Sequence, residues 1–156
     1  MPYAAMTRDE AQRSIRTFYE AVNNKAPWGP WVVHMKKILV VDDEQLLLQG
    51  LGKVLQTDAT EVITVETGEA ALAEIASSPC HLCFLDVFLP DMDGTDVLKK
   101  IRAISPGTKV IMMTAGIINN AMKETIEKNA HMFITKPFDL LQVKMLAQRV
   151  IEEPGP

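Results

Sequence analysis

From residue 38 onward five short apolar bursts punctuate the chain, each followed by a stretch whose apolar positions recur every three or four residues. The bursts are Ile38-Leu39-Val40-Val41, Val62-Ile63-Thr64-Val65, Leu82-Cys83-Phe84-Leu85, Val110-Ile111-Met112-Met113 and Met132-Phe133-Ile134. Short runs of large and β-branched apolar residues predict strands, and the spacing between them predicts helices over 44–56, 68–77, 94–104, 117–128 and 139–152. The bursts are nearly continuous rather than alternating, so each strand is expected to be covered on both faces. Strands alternating with helices then predict an α/β fold, a doubly wound five-stranded parallel sheet. Gly94 opens one helix, Asp139 is placed to cap the last, and Pro154-Gly155-Pro156 stops it.

The first 34 residues follow another pattern. Thr7 and Glu10 have capping-box spacing, and Ala11, Ile15, Phe18, Tyr19 and Val22 then recur at helical intervals. Asn23 and Asn24 weaken that helix, and Ala26-Pro27-Trp28-Gly29-Pro30 ends it. Met35-Lys36-Lys37-Ile38 looks like a fresh beginning. The chain therefore divides into an N-terminal helical extension over 1–34, a domain over 35–152 and a tail over 153–156. Three readings of the extension compete. It is an ordered helix that packs on its own domain or on a second copy through Ile15, Phe18, Tyr19, Trp28 and Trp31; an extension without fixed structure; or sequence upstream of a start at Met35. The amphipathic aromatics favour the first, which makes a homodimer one expected assembly.

Composition narrows the function. The net charge of −4 is unevenly spread, with +1 in residues 1–34 and −5 in residues 35–156. An acidic domain is a poor nucleic-acid binder. No apolar run reaches the roughly 18 residues of a membrane span, and no secretory signal is visible, so a cytoplasmic location is expected. Cys80 and Cys83 are too few for a disulfide framework. Their C-x-x-C spacing could suggest zinc or redox chemistry, but residues three apart on a strand face opposite ways and no second ligand pair exists. Leu46, Leu47, Leu48 and Leu51 exceed what one buried helix stripe needs, and Gly50 and Gly52 each cost about 1 kcal/mol against alanine.

In a parallel α/β sheet, function gathers beyond the carboxyl ends of the strands. The first burst ends in Asp42-Asp43-Glu44, the third in Asp86, the fourth in Thr114 and the fifth in Lys136-Pro137. Any one acid could be an ordinary helix cap. Together with Lys136 they form a charged group on a single edge. Clustered aspartates repel unless a cation screens them, and hard oxygen ligands suit Mg²⁺. A divalent ion, a lysine and a hydroxyl make a receptacle for phosphoryl oxygens, in which a carboxylate can itself be the nucleophile.

Residues 36–152 resemble the receiver domain of two-component response regulators, of the chemotaxis, stand-alone type. The resemblance rests on four pieces in order: Lys37-Ile38-Leu39-Val40-Val41-Asp42-Asp43-Glu44, Leu85-Asp86-Val87-Phe88-Leu89-Pro90-Asp91-Met92-Asp93-Gly94, Met113-Thr114-Ala115 and Phe133-Ile134-Thr135-Lys136-Pro137-Phe138. It implies a flavodoxin-like sheet of order 2-1-3-4-5, with Asp86 as phosphoacceptor. It also implies Mg²⁺ on Asp43 and Asp86, on Asp42 through water, and on the main-chain carbonyl of Phe88. Thr114, with Ala115 beside it, and Lys136 would contact the phosphoryl group, Phe133 would be the switch aromatic, and Pro137 would follow a cis peptide bond. The implied partners are a sensor histidine kinase or histidine phosphotransfer protein and a downstream protein of unknown identity.

Two departures and two lifetime-tuning positions qualify the resemblance. Asn129 replaces the usual glycine before the last strand, and asparagine tolerates positive φ. Phe133 lacks a hydroxyl, and Phe88 and Gly116 stand at positions that tune phosphoryl lifetime in the family. The rival reading is an aspartate-nucleophile phosphohydrolase, which would place a second acid where this chain has Phe88. A further alternative is a receiver cut from a longer regulator with an effector domain.

Overall fold

In the computed structural model, which describes residues 7–23 and 35–154, the five bursts form one sheet of five parallel strands in the order β2-β1-β3-β4-β5. The strands are β1 (Lys36–Val41), β2 (Thr60–Val65), β3 (Leu82–Asp86), β4 (Lys109–Thr114) and β5 (Met132–Thr135). The helices are α1 (Arg8–Asn23), α2 (Gln45–Leu55), α3 (Gly68–Ser77), α4 (Gly94–Ile104), α5 (Asn120–Asn129) and α6 (Leu140–Glu152). The continuous apolar bursts have the predicted cause. Side chains of successive strand residues point to opposite faces, and both faces are buried in β1, β3 and β4, whereas the outer strands β2 and β5 fall short of the expectation, with Thr64, Phe133 and Thr135 exposed. Leu39, Val41, Cys83, Leu85, Val110 and Met112 join one layer with α3, α4 and α5. Ile38, Val40, Leu82, Phe84, Ile111 and Met113 join the other with α2 and α6.

The chain divides into two units, Met1–His34 and Met35–Pro156. In the first, the capping box forms as its spacing predicts. The Thr7 N–H donates to Glu10 Oε2 at 2.8 Å and the Glu10 N–H to Thr7 Oγ1 at 3.3 Å. Ile15 and Phe18 are exposed on α1. The breaker at 26–30, Trp28, Trp31 and the side chains of Tyr19 and Val22 lie outside the described residues.

Helix ends show where local chemistry overrides periodicity. Asp139 caps α6 as expected, accepting from the Leu141 and Gln142 N–H groups at 2.8 and 3.0 Å. The helix predicted from residue 117 instead begins at Asn120, because the Asn119 side chain accepts from the Met122 N–H at 2.9 Å. Ile117 is left almost fully exposed. Asn129 adopts no positive φ. It stays helical and returns its side-chain N–H to the Thr125 carbonyl at 2.9 Å. The expectation that Cys80 and Cys83 face opposite ways also fails. Cys80 precedes β3, so strand alternation does not reach it, and both thiols lie in the same core layer. They are buried, unbridged and pushed above the ordinary thiol range by burial, the setting of unreactive core cysteines. In α2, Leu48, Leu51 and Leu55 are buried and Leu46 is the surplus leucine, standing exposed.

Candidate functional site

Strand order decides where a crevice opens. From β1 the chain steps to β2 on one side, and every later strand is added on the other side of β1. The helices that follow β1 and β3 therefore lie on opposite faces, α2 in one core layer and α4 in the other. Between them, at the carboxyl ends of β1 and β3, the sheet leaves the gap at which α/β folds bind ligands. Asp42 follows β1 directly and Asp86 is the last residue of β3. Asp42, Asp43 and Asp86 bring carboxylate oxygens within 4.8 Å of one another, a group able to hold a metal ion.

Lys136, just beyond β5, reaches into the same gap. Its Nζ donates to Asp42 Oδ2 at 2.5 Å, to Asp86 Oδ2 at 2.9 Å and to Glu44 Oε1 at 3.1 Å. The peptide bond to Pro137 is cis, as the resemblance implies. The remaining oxygens of the two buried acids are held by backbone. Asp42 Oδ1 accepts from the Glu44 N–H at 2.9 Å, and Asp86 Oδ1 from the Phe88 N–H at 3.1 Å. Burial pushes the Asp42 carboxyl above its ordinary range, and the bonds from Lys136 and the Glu44 N–H pull it back only in part. Burial alone would lower Lys136, but its bonds to Asp42, Asp86 and Glu44 outweigh that and hold its ammonium well above the ordinary lysine value.

Helix capping does not account for Glu44, Asp42 or Asp86. Glu44 occupies the N-cap position of α2 but its side chain makes no capping bond, turning to Lys136 instead. Asp42 and Asp86 cap nothing. Of the other predicted residues, Thr114 is buried at the end of β4, where its hydroxyl donates to the Gly116 carbonyl at 3.2 Å and accepts from the Gly116 N–H at 3.4 Å. Ala115 is exposed in the following loop. Phe133 on β5 and Phe88 beyond Asp86 are each about half exposed, at 49% and 46%. Phe88 lies over Gly116, where an added Cβ would sit 3.4 Å from its ring. No acid stands two residues past Asp86.

Two participants were given no role of their own by the sequence pattern. Glu44 shares Lys136, a role hidden because an acid at that point reads as a cap. Asp91 accepts from the N–H groups of Gly68 and Glu69 across the fold, and nothing local in the sequence signals that pairing. Gly94 has a sharper reason than helix opening. A Cβ there would lie 2.0 Å from the main-chain oxygen of Asp86 and 2.8 Å from Val87 Cα. Only glycine lets α4 start so close to the acid.

Comparison with known proteins agrees with this architecture. The family model of the response regulator receiver domain matches residues 38–148. The sensory transduction protein RegX3 of Mycobacterium bovis is 34% identical over 121 residues, covering 78% of this chain and 53% of that protein. The hybrid signal transduction histidine kinase L of Dictyostelium discoideum is 35% identical over 121 residues, covering 72% of this chain and 7% of that protein. The chain thus spans about half the length of RegX3 and a small part of the kinase. The crystal structure of a CheY-like receiver domain protein from Methanospirillum hungatei JF-1 superposes with a TM-score of 0.70 at 29% identity, over 76% of this chain and 94% of that one. With its sheet order, its acidic gap and a family match over most of its length, this chain belongs to the receiver domain family of response regulators.

Proposed function

We propose that this chain is a phosphorylatable receiver in two-component signalling, with Asp86 as the residue that takes the phosphoryl group. One observation carries the reading: Asp42, Asp43 and Asp86 converge within 4.8 Å while Lys136 bridges two of them. The donor set fits Mg²⁺, being made of hard carboxylate oxygens, one of them on an exposed side chain open to water. Asp42, Asp43, Asp86 and the Phe88 carbonyl would hold the ion, which would draw charge from the phosphoryl oxygens during transfer.

The chain's own residues do the rest. A carboxylate oxygen of Asp86 forms the bond to phosphorus as the bond to the donor breaks. The electron pair leaves on the imidazole of a partner's phosphohistidine, or on acetate when acetyl phosphate is the donor. Both Asp86 oxygens are engaged beforehand, one by the Phe88 N–H and one by Lys136. Lys136 is the partner able to yield, because it also holds Asp42 and Glu44. Its ammonium then pairs with a phosphoryl oxygen. Thr114 exchanges its bonds to Gly116 for a second oxygen, with Ala115 alongside, and Phe133 is the aromatic whose position reports the change. The partners are a histidine kinase or phosphotransfer protein on the donor side and another protein on the output side. Residues 35–152 make up the receiver and residues 1–34 an extension with no part in the chemistry.

The test is direct. With acetyl phosphate and Mg²⁺, phosphate-affinity electrophoresis of the full chain should show a retarded band. Asp86→Ala should abolish it, and a band that persists in that variant would move the acceptor elsewhere.

A further inference from the structure

The loop between β3 and α4 carries Phe88 past the acid, and it is tied down at two levels. Its neck closes on itself. The Gly94 N–H donates to the Val87 carbonyl at 2.7 Å, and Phe88 and Asp93 form an isolated antiparallel bridge. Its tip is held from outside. Asp91 Oδ1 accepts from the Gly68 N–H and Oδ2 from the Glu69 N–H, each at 2.9 Å, 23 and 22 residues away in the chain. These are the first two N–H groups of α3, which no intrahelical carbonyl can satisfy.

The work of capping α3 is divided between two side chains. Thr67, the local N-cap, accepts only from the Ala70 N–H at 3.1 Å. Asp91 takes the two donors that Thr67 leaves, and these bonds hold its carboxyl below the ordinary aspartate range. Packing locks the same junction. A Cβ at Gly68 would lie 2.6 Å from Met92 Cγ and 2.7 Å from Val97 Cγ2, so the loop residue after Asp91 sits directly on the helix start. An exposed loop acid would ordinarily be solvated; this one joins α3 to the loop bordering the acidic gap.

We propose that Asp91 is a positioning residue for the cation and phosphoryl site. By clamping the loop tip to the N-terminus of α3 it sets the tilt of residues 87–93, and with it the place of the Phe88 main chain beside Asp86. The inference rests on the reading of Asp86 and Phe88 given above. Its consequence is that cutting the clamp weakens Mg²⁺ binding although no ligand is removed. Residues bonded to metal ligands typically change metal affinity by about 10–100-fold. Asp91 acts one step further out, so about fivefold is expected.

The experiment titrates Mg²⁺ alone into the full chain and follows the amides of Val87–Gly94 by NMR. Acetyl phosphate labelling and thermal melting run in parallel. Asp91→Ala should need about fivefold more Mg²⁺ for half-saturation and for half-maximal labelling, with the labelling rate at saturating Mg²⁺ less affected. Asp91→Asn keeps one acceptor oxygen and should fall between. Should the alanine variant not fold, the asparagine variant supplies the comparison. Thr67→Ala weakens the same helix end without touching the loop, so it should lower the melting temperature and leave Mg²⁺ half-saturation unmoved. An Asp91 variant within about twofold of wild type in Mg²⁺ requirement, or a Thr67→Ala shift as large as that of Asp91→Ala, would reduce Asp91 to a helix cap and overturn the proposal. A wild-type chain that binds no Mg²⁺, or labelling that survives Asp86→Ala, would instead remove the reading of the site on which the proposal stands.

Discussion

The two edges of the sheet handle charge in opposite ways. At the amino edge, Lys37 and Lys109 each have acceptors of their own. Lys37 Nζ donates to Glu74 at 2.6 Å and to the Ser78 carbonyl at 2.9 Å. Lys109 Nζ donates to the carbonyls of Val150 and Glu153 at 2.7 and 2.6 Å, closing the end of α6. Thr108 and Ser105 share a hydrogen bond, and Thr108 also donates to the Cys80 carbonyl. At the carboxyl edge four acids, Asp42, Asp43, Glu44 and Asp86, face the single ammonium of Lys136. At the amino edge the ammonium groups of Lys37 and Lys109 are thus met by acceptors. The carboxyl edge holds an excess of negative charge that a cation would relieve. Such an imbalance around the buried Asp42 and Asp86 suits a site arranged for a ligand rather than for stability.

Glycine substitution should give the largest contrast between the edges. Gly94→Ala at the carboxyl edge forces a Cβ against main-chain atoms of Asp86 and Val87 that cannot rotate away. It should cost about 3 kcal/mol or more and displace Asp86. Gly107→Ala, in the turn before β4, meets nothing within 4 Å and needs no left-handed backbone. It should be neutral or stabilising by about 0.4–1 kcal/mol. Urea unfolding of both variants measures the difference, and equal costs would erase the contrast.

Cation binding comes next in size. Wild type should gain about 2.7 kcal/mol of stability when Mg²⁺ is present at about 100 times its dissociation constant. Asp43→Asn should lose most of that gain, yet melt at or above wild type without Mg²⁺ because one of the crowded charges is gone. Calorimetry with and without the ion separates the two effects. A Mg²⁺ gain retained in full by the variant would take Asp43 out of the cation site.

The amino edge answers differently. Lys37→Met keeps the aliphatic stem but strands Glu74 and the Ser78 carbonyl, and should cost about 1–2 kcal/mol, moderated because Glu74 is partly in water. Labelling at Asp86 should be unchanged in rate. A slowed labelling rate would show that the two edges are coupled through the sheet.

The smallest effect is a pH dependence at Asp91. Its carboxyl is held below its ordinary value of 3.8 by the N–H groups of Glu69 and Gly68. A lowered carboxylate contributes stability that is complete above the unfolded value and lost as pH falls through the folded one. The melting gap between wild type and Asp91→Asn should therefore be full at neutral pH and close below the ordinary aspartate range. A gap that stayed constant into acid would mean the N–H bonds act without the charge.

How much of this could be read in the chain depended on the range of the interaction. The three inner strands were legible because burial on both faces demands continuous apolar runs, a requirement written into consecutive residues such as Ile38–Val41 and Leu82–Leu85, and the outer strands β2 and β5 because their bursts are apolar although one face is partly open. The acids at strand ends were legible for the same reason, since a parallel sheet sends every carboxyl end to one edge. Helix starts were less so. The α5 boundary moved by three residues because one side-chain cap at Asn119 outweighed apolar spacing. Cys80 lies at the strand entry as read, but its facing relative to Cys83 was misjudged because strand alternation was extended to a residue before the strand begins.

Sequence alone determined the α/β layering, the parallel sheet and the edge on which the chemistry gathers, because these follow from periodicity and from the direction of the chain. Only the tertiary structure decided which acids share Lys136, that Glu44 is among them, that Gly94 is required by the Asp86 backbone, and that Asp91 clamps the loop to α3. Those contacts join residues from 22 to 94 positions apart or depend on a main-chain approach of a few ångströms. Local pattern constrains neither. They form when the core brings the strand ends together, and at Asp42 and Asp86 burial then adds weight to the bonds with Lys136.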